Sequence, residues 1–102
     1  MVMKHIMKNL KELFIDEYYQ NILINKAFPF INQQNPDLII ISLGFDAHKD
    51  DPLEGMNISN DTYIFLAKEL KKLNKPLLFV LEGGYNIETI SNLTTKMIGI
   101  FE

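Results

Sequence analysis

The 102-residue chain contains no cysteine and no tryptophan. Without cysteine there is no disulfide framework, no thiolate metal site and no thiol nucleophile, and the composition fits a reducing compartment. Also missing is any apolar stretch of about 18 residues, so no transmembrane helix and no membrane association are expected. The longest nearly apolar run, Leu38 to Phe45, is strand-sized and interrupted by Ser42 and Gly44. The N-terminal stretch MVMKHIMKNLKELF lacks the long apolar core and small-residue cleavage site of a signal peptide, which makes the cytoplasm the expected location. An excess of positive charge is absent too. A formal net charge of -3 argues against a general phosphate-backbone binder, so no direct nucleic-acid contact is expected. There is no internal repeat and no low-complexity tract. What remains is ordinary for one small globular domain: 47% hydrophobic and 23% charged residues, too apolar for a disordered chain.

Residues 7–34 are predicted to be mainly helical. Leu10, Leu13 and Phe14 share a face, Asp16 is placed to cap a second helix, and Tyr19, Ile22, Leu23, Ala27 and Phe30 follow near the 3.6 period. Pro29 removes a backbone hydrogen bond and biases Phe28 away from helical geometry, so a kink or an early end is expected there. Asn35-Pro36-Asp37 signals a turn. Leu38-Ile39-Ile40-Ile41-Ser42 then reads as a strand buried on both faces, the pattern of a parallel sheet covered by helices. Residues 44–59 form a long polar loop. Ser59 or Asn60 caps a helix through about Leu73, with Tyr63, Leu66, Ala67, Leu70 and Leu73 on one stripe. Asn74-Lys75-Pro76 ends that helix, Leu77–Leu81 is a second buried strand, Glu82–Asn86 a tight loop, and a last helix runs from about Ile87 to Ile100. The middle is a β-α-β unit, which requires parallel strands and a right-handed crossover. Two strands leave open edges, so the pattern implies part of a larger α/β sheet.

In open α/β sheets ligands bind beyond the carboxyl ends of the strands, and both unusual loops lie there. After the first strand, Asp46, His48, Asp50 and Asp51 are a cluster of metal-capable side chains; a solvated acidic loop is the competing reading. After the second, Gly83-Gly84-Tyr85 permits positive φ and a close backbone approach to a ligand. The Tyr85 hydroxyl there suits a developing oxyanion, and the following helix N-terminus suits an anion. The competing reading is a glycine turn with a packed tyrosine. Neither G-x-G-x-x-G nor a P-loop is present. His5 reads as solvated, and Ser42 lacks a nucleophile elbow.

The segment PDLIIISLGFDAHKDDPLEGM, followed after about twenty helical residues by KPLLFVLEGGYN, resembles the C-terminal part of the zinc-dependent histone deacetylase family. The flavour is that of the class II-like, acetylpolyamine amidohydrolase and acetoin-utilisation branch, and the likeness covers roughly residues 17–98. It implies an α/β fold: a partial three-layer parallel sheet, the C-terminal part of an arginase-like deacetylase domain. It implies Zn2+ as cofactor with Asp46 as a ligand, Tyr85 as the catalytic group that polarises the acetyl carbonyl, Leu53 lining the acyl-lysine tunnel, and Gly83 and Gly84 at the pocket floor. Acetyl-lysine or an acetylated polyamine is the implied substrate. The family's D-x-H ligands and paired histidines have no counterpart, since His5 and His48 are the only histidines and neither lies in such a motif. Glu54 stands where the family often has glycine. The chain is therefore expected to be a C-terminal fragment, inactive alone because one ligand and no general base do not supply the mechanism. Three readings stay open: an enzyme half completed by an N-terminal half or second subunit, a non-catalytic remnant or interaction module with an exposed sheet edge, and a phosphate-binding α/β fragment using the Gly83-Gly84 loop.

Overall fold

A computed structural model describes residues 15–50 and 58–102. Residues 15–34 form one helical run, α1, followed by β1 (Ile39–Leu43), α2 (Asn60–Lys72), β2 (Leu77–Leu81) and α3 (Ile87–Phe101). The β-α-β unit forms as expected: β1 and β2 pair in parallel, with Ile39 opposite Leu77 and Leu43 opposite Leu81. The same punctuation starts both strands. Asn35 and Asn74 each adopt left-handed backbone, at φ 46° and 53°, and each is followed within two residues by proline. Such a residue ends a helix by turning the chain out of it. The two turns also meet, with Lys75 Nζ donating to Asn35 Oδ1 at 2.7 Å and Ile39 N–H to the Pro76 carbonyl at 3.0 Å. Register is thus set before the strands begin.

Alternation then decides which side chains are covered. Ile39, Ile41, Leu43, Leu77 and Phe79 are half-buried, and Phe79 packs its ring 5.7 Å from that of Phe101 on α3. The core joins Phe45, Ile58, Tyr63, Ala67, Leu93 and Met97, so α2 and α3 pack together beside the carboxyl end of β1. The opposite sheet face carries Ile40, Leu78 and Val80, and Ile40 is 62% exposed. Burial on both faces is therefore not met among the described residues: the unbroken apolar run calls for a second covering layer that they do not include. An apolar cleft of about 580 Å³ also opens between β2 and α3, bordered by Leu77, Phe79, Leu81, Met97, Ile98 and Phe101.

Two local expectations are corrected. Helix α1 does not end early at Pro29. It widens just upstream into a π-turn at Leu23–Ala27, closed by the Phe28 N–H on the Leu23 carbonyl, and continues to Gln34. A proline ring crowds the carbonyl one turn back and offers it no donor, and the wider turn absorbs that misfit. Asp16 does not cap its own helix. Its Oδ1 accepts from Ser59 N–H at 3.0 Å and from the Thr62 hydroxyl, and so caps α2, whose Ser59 supplies no side-chain cap. Asp16→Ala is expected to destabilise the chain by about 1–2 kcal/mol, the usual cost of a lost N-cap. Asp16→Asn, which keeps the acceptor, should restore most of the loss, as read by thermal unfolding.

Candidate functional site

The loops that follow β1 and β2 are stitched together at the carboxyl end of the sheet. Glu82 N–H donates to the Leu43 carbonyl at 2.9 Å, and Phe45 N–H to the Gly83 carbonyl at 2.8 Å. Phe45 then drops into the core, 1% exposed, its ring 5.2 Å from that of Tyr63. Next to this anchor, Asp46 sits inside a turn closed by His48 N–H on the Phe45 carbonyl at 3.2 Å.

Asp46 and Gly83 are brought directly together. A Cβ added at Gly83 would lie 2.6 Å from Asp46 Oδ2 and 2.9 Å from its Cγ; one added at Gly44 would lie 2.7 Å from Oδ1. Two glycines therefore make the room in which the carboxylate stands. Gly84 has a different need. Its φ of +142° belongs to backbone that L side chains rarely adopt, and an added Cβ would come within 3.2 Å of the Phe45 Cβ. Tyr85 follows at once and is 58% exposed. Asn86 closes the loop: its Oδ1 accepts from Thr89 N–H at 3.0 Å, capping α3, while its Nδ2 donates to the Asp50 carbonyl at 3.1 Å. Leu53, with Asp51 and Glu54, lies outside the described residues.

The described members of the metal-capable cluster after β1, Asp46, His48 and Asp50, do not group into a metal site. His48 is 2% exposed and points away from a common centre, with both ring nitrogens in hydrogen bonds, to Asn60 Oδ1 at 2.7 Å and from Asp50 N–H at 3.1 Å. Among the described residues no three acidic or imidazole side chains are grouped closely enough to hold a metal. A half-buried carboxylate in a cradle that a methyl group would fill fits one ligand position of a cation site, with the other donors coming from elsewhere. Asn60, Tyr63 and Asn86 were not singled out for the site in the sequence. Asn86 carried a signal, being an asparagine just ahead of a helix; Tyr63 read only as core, although its hydroxyl donates to the Gly44 carbonyl at 2.9 Å.

Comparison with known proteins converges on one family. The histone deacetylase domain pattern matches residues 3–101. Histone deacetylase 6 of Caenorhabditis elegans is 41% identical over 78 residues, covering 76% of this chain and 8% of that protein. Acetylpolyamine amidohydrolase 1 of Pseudomonas aeruginosa is 38% identical over 55 residues, covering 54% of this chain and 16% of its own length. The crystal structure of acetylpolyamine aminohydrolase from Burkholderia pseudomallei matches at a TM-score of 0.69 and 31% identity, over 76% of this chain and 23% of that one. The chain thus spans less than a quarter of each of these proteins.

Proposed function

The chain belongs to the histone deacetylase family, and from that premise we propose that it carries the C-terminal part of a zinc-dependent deacetylase centre. The completed centre hydrolyses the acetyl-amide of acetyl-lysine or of an acetylated polyamine. The observation that carries this reading is the Asp46 carboxylate held between Gly44 and Gly83 where the two strand-end loops join. Zinc, when held, supplies a Lewis acid that polarises the amide carbonyl and acidifies water. Asp46 contributes one ligand. The Tyr85 hydroxyl donates a hydrogen bond to the carbonyl oxygen as negative charge grows there, keeping its proton, an interaction stronger in the transition state than in the ground state. Leu53 lines the tunnel for the acyl chain, and Gly84 holds the turn that presents Tyr85. His48 does not serve as the general base, because both its nitrogens are already engaged within the fold. The base and the remaining ligands come from the rest of the domain.

The bare sheet face and the open cleft beside β2 support a completing segment, supplied as an N-terminal half or by a second subunit. The two-stranded sheet, with no third strand among the described residues, favours a second reading, a non-catalytic module that binds through its exposed strand edge. The absence of cysteine supports a reducing compartment, and the cytoplasm is the location that goes with this reading. No helix of the described residues is long and apolar enough to cross a membrane.

Zinc content separates the two readings. The purified chain is loaded with zinc and desalted, alone and after mixing with an N-terminal deacetylase segment. Little zinc and no hydrolysis are expected alone, rising to about one zinc per complex with hydrolysis of an acetylated peptide or polyamine. Tight stoichiometric zinc in the isolated chain would overturn the incomplete-centre reading, and no zinc in either state would favour the module.

A further inference from the structure

The geometry points to His48 as a positioning residue for the Asp46 carboxylate, held in one tautomer by Asn60; this rests on the reading of Asp46 as a metal ligand. A buried imidazole needs partners for both nitrogens. Here a backbone N–H, which can only donate, reaches Nδ1 from Asp50 at 3.1 Å. Nδ1 therefore carries the lone pair, and Nε2 carries the proton and donates to Asn60 Oδ1 at 2.7 Å. The Asp50 carboxylate lies 4.0 Å from Nδ1, beyond hydrogen-bond range. The opposite tautomer would set two donors against each other at Nδ1. No lone pair is left for a metal, so the ring acts through the backbone.

That backbone bears directly on Asp46. His48 N–H closes the turn on Phe45, and the chain around His48 bridges to Ile58 through Lys49 N–H to the Ile58 carbonyl and Ile58 N–H to the Ala47 carbonyl, each 2.9 Å. The turn's start is fixed from the same helix, by the Tyr63 hydroxyl on the Gly44 carbonyl at 2.9 Å. Asn60 and Tyr63 stand three residues apart at the start of α2, and together they grip both ends of the segment that carries Asp46. Gly44 and Gly83 carry no side chain against the carboxylate, so its rotamer depends on the segment that bears it.

Nuclear magnetic resonance on the full 102-residue chain tests this without metal. Long-range nitrogen–proton correlations should place the His48 proton on Nε2, and α–β proton couplings should show Asp46 in one side-chain rotamer. In Asn60→Ala the Asp46 couplings should collapse to a rotamer average, and amide exchange at His48 should quicken about fivefold to tenfold, the scale of one lost buried hydrogen bond. Asn60→Asp, which keeps the acceptor, should restore both. A proton on Nδ1, or Asp46 couplings unchanged in Asn60→Ala, would overturn the inference. A separate arm adds Mn2+ to the chain mixed with an N-terminal deacetylase segment. Failure to broaden the Asp46 resonances there would sink the ligand reading, while the tautomer and rotamer results still judge the positioning role.

Discussion

Asp46→Ala is expected to leave the completed deacetylase without metal and without measurable hydrolysis. Gly83→Ala is expected to produce most of the same loss with every donor atom still in the chain. The reason is steric. The alanine methyl would stand 2.6 Å from one carboxylate oxygen and 2.9 Å from the carbon that bears it, distances no real contact sustains. The side chain must turn away, and a displacement near 1 Å at a reacting centre costs on the order of 100-fold. Folding should survive, because Gly83 does not occupy left-handed backbone and the methyl meets a side chain rather than the sheet. Gly84→Ala makes the contrast. Its φ of +142° strains any L residue, and the added carbon presses on Phe45 in the core. That variant should lose about 1–3 kcal/mol of stability. Chelator competition for zinc and thermal unfolding, measured on both variants, distinguish a spoiled site from a spoiled fold. Gly83→Ala with undiminished zinc affinity and rate would mean that the glycine pair does not set the carboxylate.

Tyr85→Phe should show the opposite signature: zinc retained, rate lost. The phenol ring keeps its shape and only the donor disappears, so substrate and metal binding change little. A single oxyanion donor contributes about 100-fold to 1,000-fold to kcat in acyl-transfer sites. The expected drop in hydrolysis by the completed domain is of that size, with KM nearly unchanged. The 58% exposure of Tyr85 in this chain makes the ring a surface residue here, so its replacement should leave thermal stability within about 0.5 kcal/mol of the parent. A rate that falls less than tenfold would remove Tyr85 from the reaction. On the proposed reading the two variants would separate metal binding at Asp46 from stabilisation of the carbonyl charge by Tyr85.

The sequence made the scaffold legible wherever the determinant was local. Asparagine and proline punctuated both strands, the 3.6 period drew α2, and the β-α-β order put Asp46 and the Gly83-Gly84-Tyr85 loop at the same end of the sheet. The G-F-D-A and L-E-G-G-Y segments carried the family. What escaped was fixed by distant partners. Asp16 caps a helix that begins more than forty residues later. His48 sits in a run of acidic and imidazole side chains that reads as a metal cluster, yet burial against Tyr63 and Asn60 turns it inward. Gly83 reads as a place for positive φ or close ligand approach, and only the fold shows that its missing side chain makes room for the Asp46 carboxylate. Pro29 obeyed its chemistry, but a helix has more than one way to absorb a proline, and no nearby residue announces the π-turn.

The bare side of the sheet makes the fate of this chain a matter of reaction order. Ile40, Leu78 and Val80 lie open beside strands with no third neighbour among the described residues. Leu77–Leu81 offers an uncharged, wholly apolar edge of the kind that pairs with copies of itself. Capture by the completing segment proposed above would scale with the first power of this chain's concentration, whereas pairing with itself would scale with the second. Dilution favours the first and abundance the second, so the amount made relative to its complement decides which product accumulates.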